Sequence, residues 1–108
     1  MNEEILDKLL SQSKDILIIN FWEKCTDAST FMNVVMEELE VVFQYKKITA
    51  NIIKLNLCEN REWAMKYDIQ GTPSIVVVRE QKVVTTLRGR LNLTALIKEL
   101  SLSGIIDE

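Results

Sequence analysis

The sequence predicts an α/β domain built on a mixed four-stranded sheet with helices on both faces. Three observations lead there. Two short apolar runs rich in β-branched residues, near Ile16 to Trp22 and Asn51 to Leu57, flank a long stretch with helical periodicity, the pattern of a parallel β-α-β unit. Two further strand-like runs, Ser74 to Arg79 and Lys82 to Leu87, are separated only by Glu80-Gln81 and read as a hairpin. With three glycines and one proline in 108 residues, and no linker or repeat, little of the chain is given to turns, so residues 1–108 read as a single domain.

Each element has its own signal. Glu3 to Gln12 reads as an amphipathic helix on Ile5, Leu6, Leu9 and Leu10, with Asn2 as its cap and Glu3 and Glu4 complementing the helix dipole. Ile16 to Trp22 is continuously apolar, as a strand covered on both faces would be. About Ala28 to Tyr45 follows as a long helix, with Met32, Val35, Met36, Leu39, Val42 and Phe43 forming its apolar stripe. Asp27 and Ser29 read as its N-capping residues, and Glu37, Glu38 and Glu40 as its solvated face. After the second strand, Asn60 to Tyr67 reads as a short helix capped by Asn60, with Trp63 and Tyr67 on one face. Gly71-Thr-Pro73 breaks the chain before the hairpin, and Gly89 ends the fourth strand. Asn92 caps a last helix through about Leu102, which Gly104 stops. Ile105-Ile106 beyond it either folds back or docks on a partner. The predicted order is α-β-α-β-α-β-β-α.

Composition narrows the function. The chain is 27% charged and 47% apolar, with a net charge of −3, which argues against disorder and against nucleic acid as a partner. No apolar run approaches the roughly 20 residues of a membrane span. The acidic start, Met1 to Lys8, lacks a basic segment followed by an apolar one, so a cytoplasmic location is expected. There is no histidine, which removes a His-based triad and a His-ligated metal, and two cysteines cannot make a four-thiolate site. Neither a metal nor a cofactor is expected.

The order of elements and several motifs resemble the thioredoxin family over about residues 3 to 102. Ile18-Ile-Asn-Phe-Trp22 is similar to the family's V-D-F-W strand, and Lys54-Leu-Asn-Leu57 to its K-L-N-I. Lys66-Tyr-Asp-Ile-Gln-Gly-Thr-Pro-Ser74 resembles K-Y-G-I-R-G-I-P-T, and Gly89 falls at the family's glycine after the last strand. The resemblance implies a cis bond before Pro73, and a groove at Trp22, Thr72, Pro73 and Gly89. There the backbone of Thr72 would pair with an extended protein or peptide partner. The extra N-terminal strand of many thioredoxins has no counterpart here, which implies an open sheet edge.

The family's chemistry requires Cys-x-x-Cys at the start of the long helix, and this chain reads Phe21-Trp-Glu-Lys-Cys-Thr-Asp-Ala-Ser29 instead. Aligned without a gap, Cys25 replaces the tryptophan before the motif, and Thr26, Asp27, Ala28 and Ser29 stand in the motif, with hydroxyls in place of both thiols. With a one-residue gap, Cys25 takes the first-thiol place and Ala28 replaces the second. The ungapped register is favoured, because it puts Met32, Val35, Met36, Leu39 and Phe43 at the buried positions, whereas the gapped one buries Glu38. Asn20 stands where the family buries an aspartate, and Asn cannot take up a proton. Lys54 matches the family's lysine. The chain is therefore not expected to be a conventional disulfide oxidoreductase. Thr26 and Ser29 are discounted as catalytic hydroxyls for want of a base, and Trp22 and Trp63 read as core or rim packing.

Two thiols remain as redox candidates. Cys58 follows the second strand where the resemblance places an acidic residue near the active-site tryptophan. Cys25 and Cys58 then read as inert thiols, as a regulatory Cys25–Cys58 disulfide, or as single cysteines making mixed disulfides, Cys25 being the catalytic candidate. Cys58 in Lys54-Leu-Asn-Leu-Cys58 also resembles the chaperedoxins, thioredoxin-like proteins that pair a degenerate active site with escorting clients. Those carry additional helical repeats, which these 108 residues do not show.

Overall fold

In the computed structural model, residues 16–24 and 26–106 are described. The helix expected over Glu3 to Gln12 lies outside them, as does Cys25. The sheet has four strands: β1 (Ile16–Trp22), β2 (Ala50–Asn56), β3 (Ser74–Arg79) and β4 (Lys82–Arg88). Helix α1 spans Asp27–Lys46, a 3₁₀ turn Leu57–Glu59, α2 Arg61–Lys66 and α3 Leu93–Leu102. The spatial order is β2-β1-β3-β4, with β1 parallel to β2 and antiparallel to β3. β3 and β4 pair antiparallel as the hairpin.

The unbroken apolar sequence of β1 follows from its central place. Ile16 and Ile18 face one side and join Met32, Val35, Met36, Leu39 and Phe43 of α1 and Leu96 and Leu100 of α3. Leu17, Ile19 and Phe21 face the other and pack with Leu55, Trp63, Ala64 and Ile69. β3 divides likewise, with Ile75 and Val77 on the α1 side and Val76 and Val78 opposite. Period-two alternation thus fills both layers of core. Glu37, Glu38 and Glu40 are exposed, as the helical stripe requires, while Val42 is only half-buried.

The structure revises several local readings. Residue 26, not 27 or 29, is the N-cap of α1: Thr26 has extended backbone (φ −114°, ψ 132°) and its hydroxyl accepts from the Ser29 N–H. Asp27 and Ser29 already lie within the helix. Asn60 precedes α2 but its side chain does not cap it; the amide donates back to the Asn56 carbonyl at 2.9 Å. β2 ends at Asn56, one residue earlier than expected, and Cys58 follows it within the 3₁₀ turn, its N–H bound to Asn56 Oδ1 at 2.9 Å. β4 runs one residue further than expected, to Arg88, and is bulged opposite Val77 and Val78. Asn92 caps α3 by accepting from the Ala95 N–H. The Ile105-Ile106 segment folds back: both side chains are buried in the α1–α3 core, and both N–H groups reach the Leu100 carbonyl.

Candidate functional site

Strand pairing brings four separate segments to one end of the sheet. Phe21 of β1 pairs with Ser74 of β3, Ser74 pairs with Arg88 of β4, and Trp22 pairs with Asn56 of β2. The segments leaving β1 and β4, the segment entering β3 and the 3₁₀ turn after β2 therefore emerge side by side. Trp22, Thr26 to Ser29, Cys58, Thr72, Pro73 and Gly89 all lie on these segments or at their junctions with the strands.

Glu23 links two of the loops, and nothing in the sequence singled it out. Its carboxylate Oε1 accepts from the Thr72 hydroxyl at 2.6 Å. Its N–H donates to Ser29 Oγ at 3.2 Å, and its carbonyl accepts from the Thr26 hydroxyl at 3.3 Å. Glu23 belongs to no motif and its partner Thr72 is 49 residues away, so no local pattern could reveal it.

The two hydroxyls at the helix start are both occupied by the backbone. Thr26 Oγ1 donates to the Glu23 carbonyl while accepting from the Ser29 N–H at 3.3 Å. Ser29 is 1% exposed, and its hydroxyl accepts from the Glu23 N–H. Between them Asp27 is exposed and Ala28 half-buried. Beneath lies Asn20, fully buried, whose side-chain amide donates to Asn33 Oδ1 at 3.0 Å. Its own Oδ1 has no partner among the described residues.

Opposite the helix start, Thr72 is half-buried and Pro73 buried, and the peptide bond between them is cis. The Gly89 N–H donates to the Pro73 carbonyl at 2.9 Å. Gly89 has φ +89°, a conformation that L side chains rarely adopt, which accounts for glycine there. Beside this loop lies a cavity of about 450 Å³, lined by Glu23, Leu57, Cys58, Arg61, Ala64, Met65, Ile69 and Gln70. Cys58 is free and exposed. Trp22 is half-buried, whereas Trp63 is a core residue, 3% exposed and stacked on Tyr67 with ring centroids 5.8 Å apart. Lys54 is exposed on β2. The described residues contain no cluster of three or more side chains able to hold a metal, and no helix among them is long and apolar enough to cross a membrane.

A mixed sheet in this order, layered by helices and carrying a cis-proline loop against a helix start, defines a thioredoxin-like α/β protein. The thioredoxin family model matches residues 1–101, and the chain belongs to the thioredoxin family. Similar proteins include Thioredoxin 2 of Chlorobaculum tepidum, 30% identical over 88 residues covering 82% of this chain and 78% of the relative. A thioredoxin of Buchnera aphidicola subsp. Baizongia pistaciae is 24% identical over 92 residues, covering 85% and 82%. Among solved structures, a chain from work on thiol resolution in a yeast mitochondrial 1-Cys peroxiredoxin through the glutathione and thioredoxin systems superposes with a TM-score of 0.78. It is 21% identical, with 93% of this chain and 89% of that chain covered, and supports the same fold.

Proposed function

We propose that this chain is a binding member of the thioredoxin family that engages a protein or peptide partner through the groove at Thr72-Pro73 and does not act as a dithiol reductase. The observation that carries this reading is the state of Thr26 and Ser29. In the ungapped register they stand at the two thiol positions, and each hydroxyl is held by backbone groups around Glu23. The burial of α1 supports that register, with Met32, Val35, Met36, Leu39 and Phe43 inside and Glu38 exposed. Among the described residues the partners of both hydroxyls are backbone groups, not a basic side chain, and the chain contains no histidine. Binding by strand-like pairing to Thr72 needs neither thiol. The test compares Pro73→Ala with Cys25→Ser/Cys58→Ser against a partner isolated by affinity capture. Weakened binding by the proline variant alone supports the groove, and an unaffected proline variant rejects it.

The exposure of Cys58 favours a second reading, a thiol-based redox role for Cys58, alone or with Cys25. In it a Cys58 thiolate attacks a disulfide of a partner or of oxidised glutathione, and the displaced thiolate takes up a proton. Intact-mass and peptide-map measurements in defined glutathione buffers separate the outcomes. A loss of two hydrogens marks a Cys25–Cys58 bond, an adduct marks monothiol exchange, and two unchanged thiols reject the redox role.

A further inference from the structure

We infer that the partner segment carries a lysine or arginine side chain, which enters the cavity beside Thr72 and pairs with the Glu23 carboxylate. The inference rests on the groove reading above and names the chemistry of its occupant. Glu23 is half-buried and stands at the groove itself, since Thr72, the residue whose backbone would pair with the partner, holds Oε1 at 2.6 Å. No cation lies within ion-pair distance of that carboxylate among the described residues. Arg61 also lines the cavity but is exposed and forms no ion pair with Glu23. A peptide laid along Thr72 removes water from Glu23, and a desolvated carboxylate without a counter-charge opposes binding. A basic side chain supplies that charge. The remaining lining suits its stem: Leu57, Ala64, Met65 and Ile69 offer apolar surface, with Met65 79% exposed. A long aliphatic stem lying on such a surface with its charged head on a carboxylate is how lysine and arginine are usually accommodated.

Fluorescence polarisation with three pools of blocked, dye-labelled heptapeptides tests this. The central residue is lysine, norleucine or glutamate, and the other positions are randomised. The lysine pool is expected to bind the wild-type chain about tenfold more tightly than the norleucine pool, and the glutamate pool most weakly. Glu23→Gln keeps an acceptor for Thr72 but removes the charge, and should bring the lysine pool down to the norleucine level. Thr72→Val, which releases the carboxylate from its tether, should shrink the same preference and serves if Glu23→Gln does not fold. Equal affinities for lysine and norleucine, or a lysine preference that survives Glu23→Gln, overturn the inference. Pro73→Ala distinguishes the two levels. If it weakens all pools while charge has no effect, the groove stands and the basic occupant falls. If no pool binds, or Pro73→Ala changes nothing, both fall.

Discussion

At the residue scale, Glu23, Thr26 and Ser29 satisfy one another through backbone and hydroxyl groups at the start of α1, and the ungapped register proposed above would make these the thiol positions. Thr26→Ala removes the side-chain acceptor for the Ser29 N–H. It should lower stability by about 1 kcal/mol, the usual loss for an N-cap, read as a fall in the urea midpoint at constant slope. The register makes a sharper prediction. In a Cys25→Ser/Cys58→Ser background, Thr26→Cys/Ser29→Cys should place two thiols an N-cap and one turn apart, within the roughly 4.4–6.8 Å Cα separation a disulfide accepts. Mild oxidation should then remove two hydrogens from the intact mass; a pair that stays reduced points to the gapped register. That Thr26, Asp27, Ala28 and Ser29 stand at the start of the long helix was legible in the sequence, but the division of labour among them was not. Asp, Ser and Thr are all good caps, and which one serves depends on where the backbone turns from extended to helical. The backbone makes that turn at Thr26, whose hydroxyl also donates to the Glu23 carbonyl.

At the scale of elements, sequence and structure agree best where periodicity is long. The limits of β1 and β3 and the stripe of α1 follow from continuous apolar runs and helical spacing, since a strand buried on both faces and a 20-residue helix leave few alternatives. Leu39→Ala, at a fully buried position of that stripe, should cost about 2–5 kcal/mol, whereas Glu38→Ala one residue away should stay within about 0.5 kcal/mol. Paired urea melts of the two variants check the contrast. The short α2 was legible, but its cap was not. The Asn60 side chain has a competing acceptor in the Asn56 carbonyl, and only the 3₁₀ turn between them brings the two within reach. The β3–β4 hairpin also departs from favoured turn chemistry. Glu80 and Gln81 both take positive φ, 52° and 68°, a conformation that Asn-Gly adopts more readily. Glu80→Asn/Gln81→Gly should therefore raise the urea midpoint, by an amount on the order of 1 kcal/mol.

At the scale of the whole molecule, the strand order decides where function can reside. With β1 between β2 and β3, the ends of β1 and β4, the entry to β3 and the turn after β2 share one end of the sheet, and the candidate residues meet there. The thioredoxin resemblance placed Thr72, Pro73 and Gly89 in that region from sequence. The Glu23–Thr72 contact and the cavity beside Cys58 emerge only once the chain is folded, because they join segments far apart in sequence. The fate of Ile105-Ile106 was equally beyond local reading. An apolar pair after a helix suits a partner's surface or the chain's own core, and here it completes the core between α1 and α3. On the proposed function, this thioredoxin fold keeps its groove without a working dithiol. Insulin disulfide reduction by dithiothreitol, followed with and without the protein, tests it most directly. The rate should equal that of dithiothreitol alone at every protein concentration; catalytic acceleration that scales with the protein and disappears in Cys25→Ser/Cys58→Ser would contradict it.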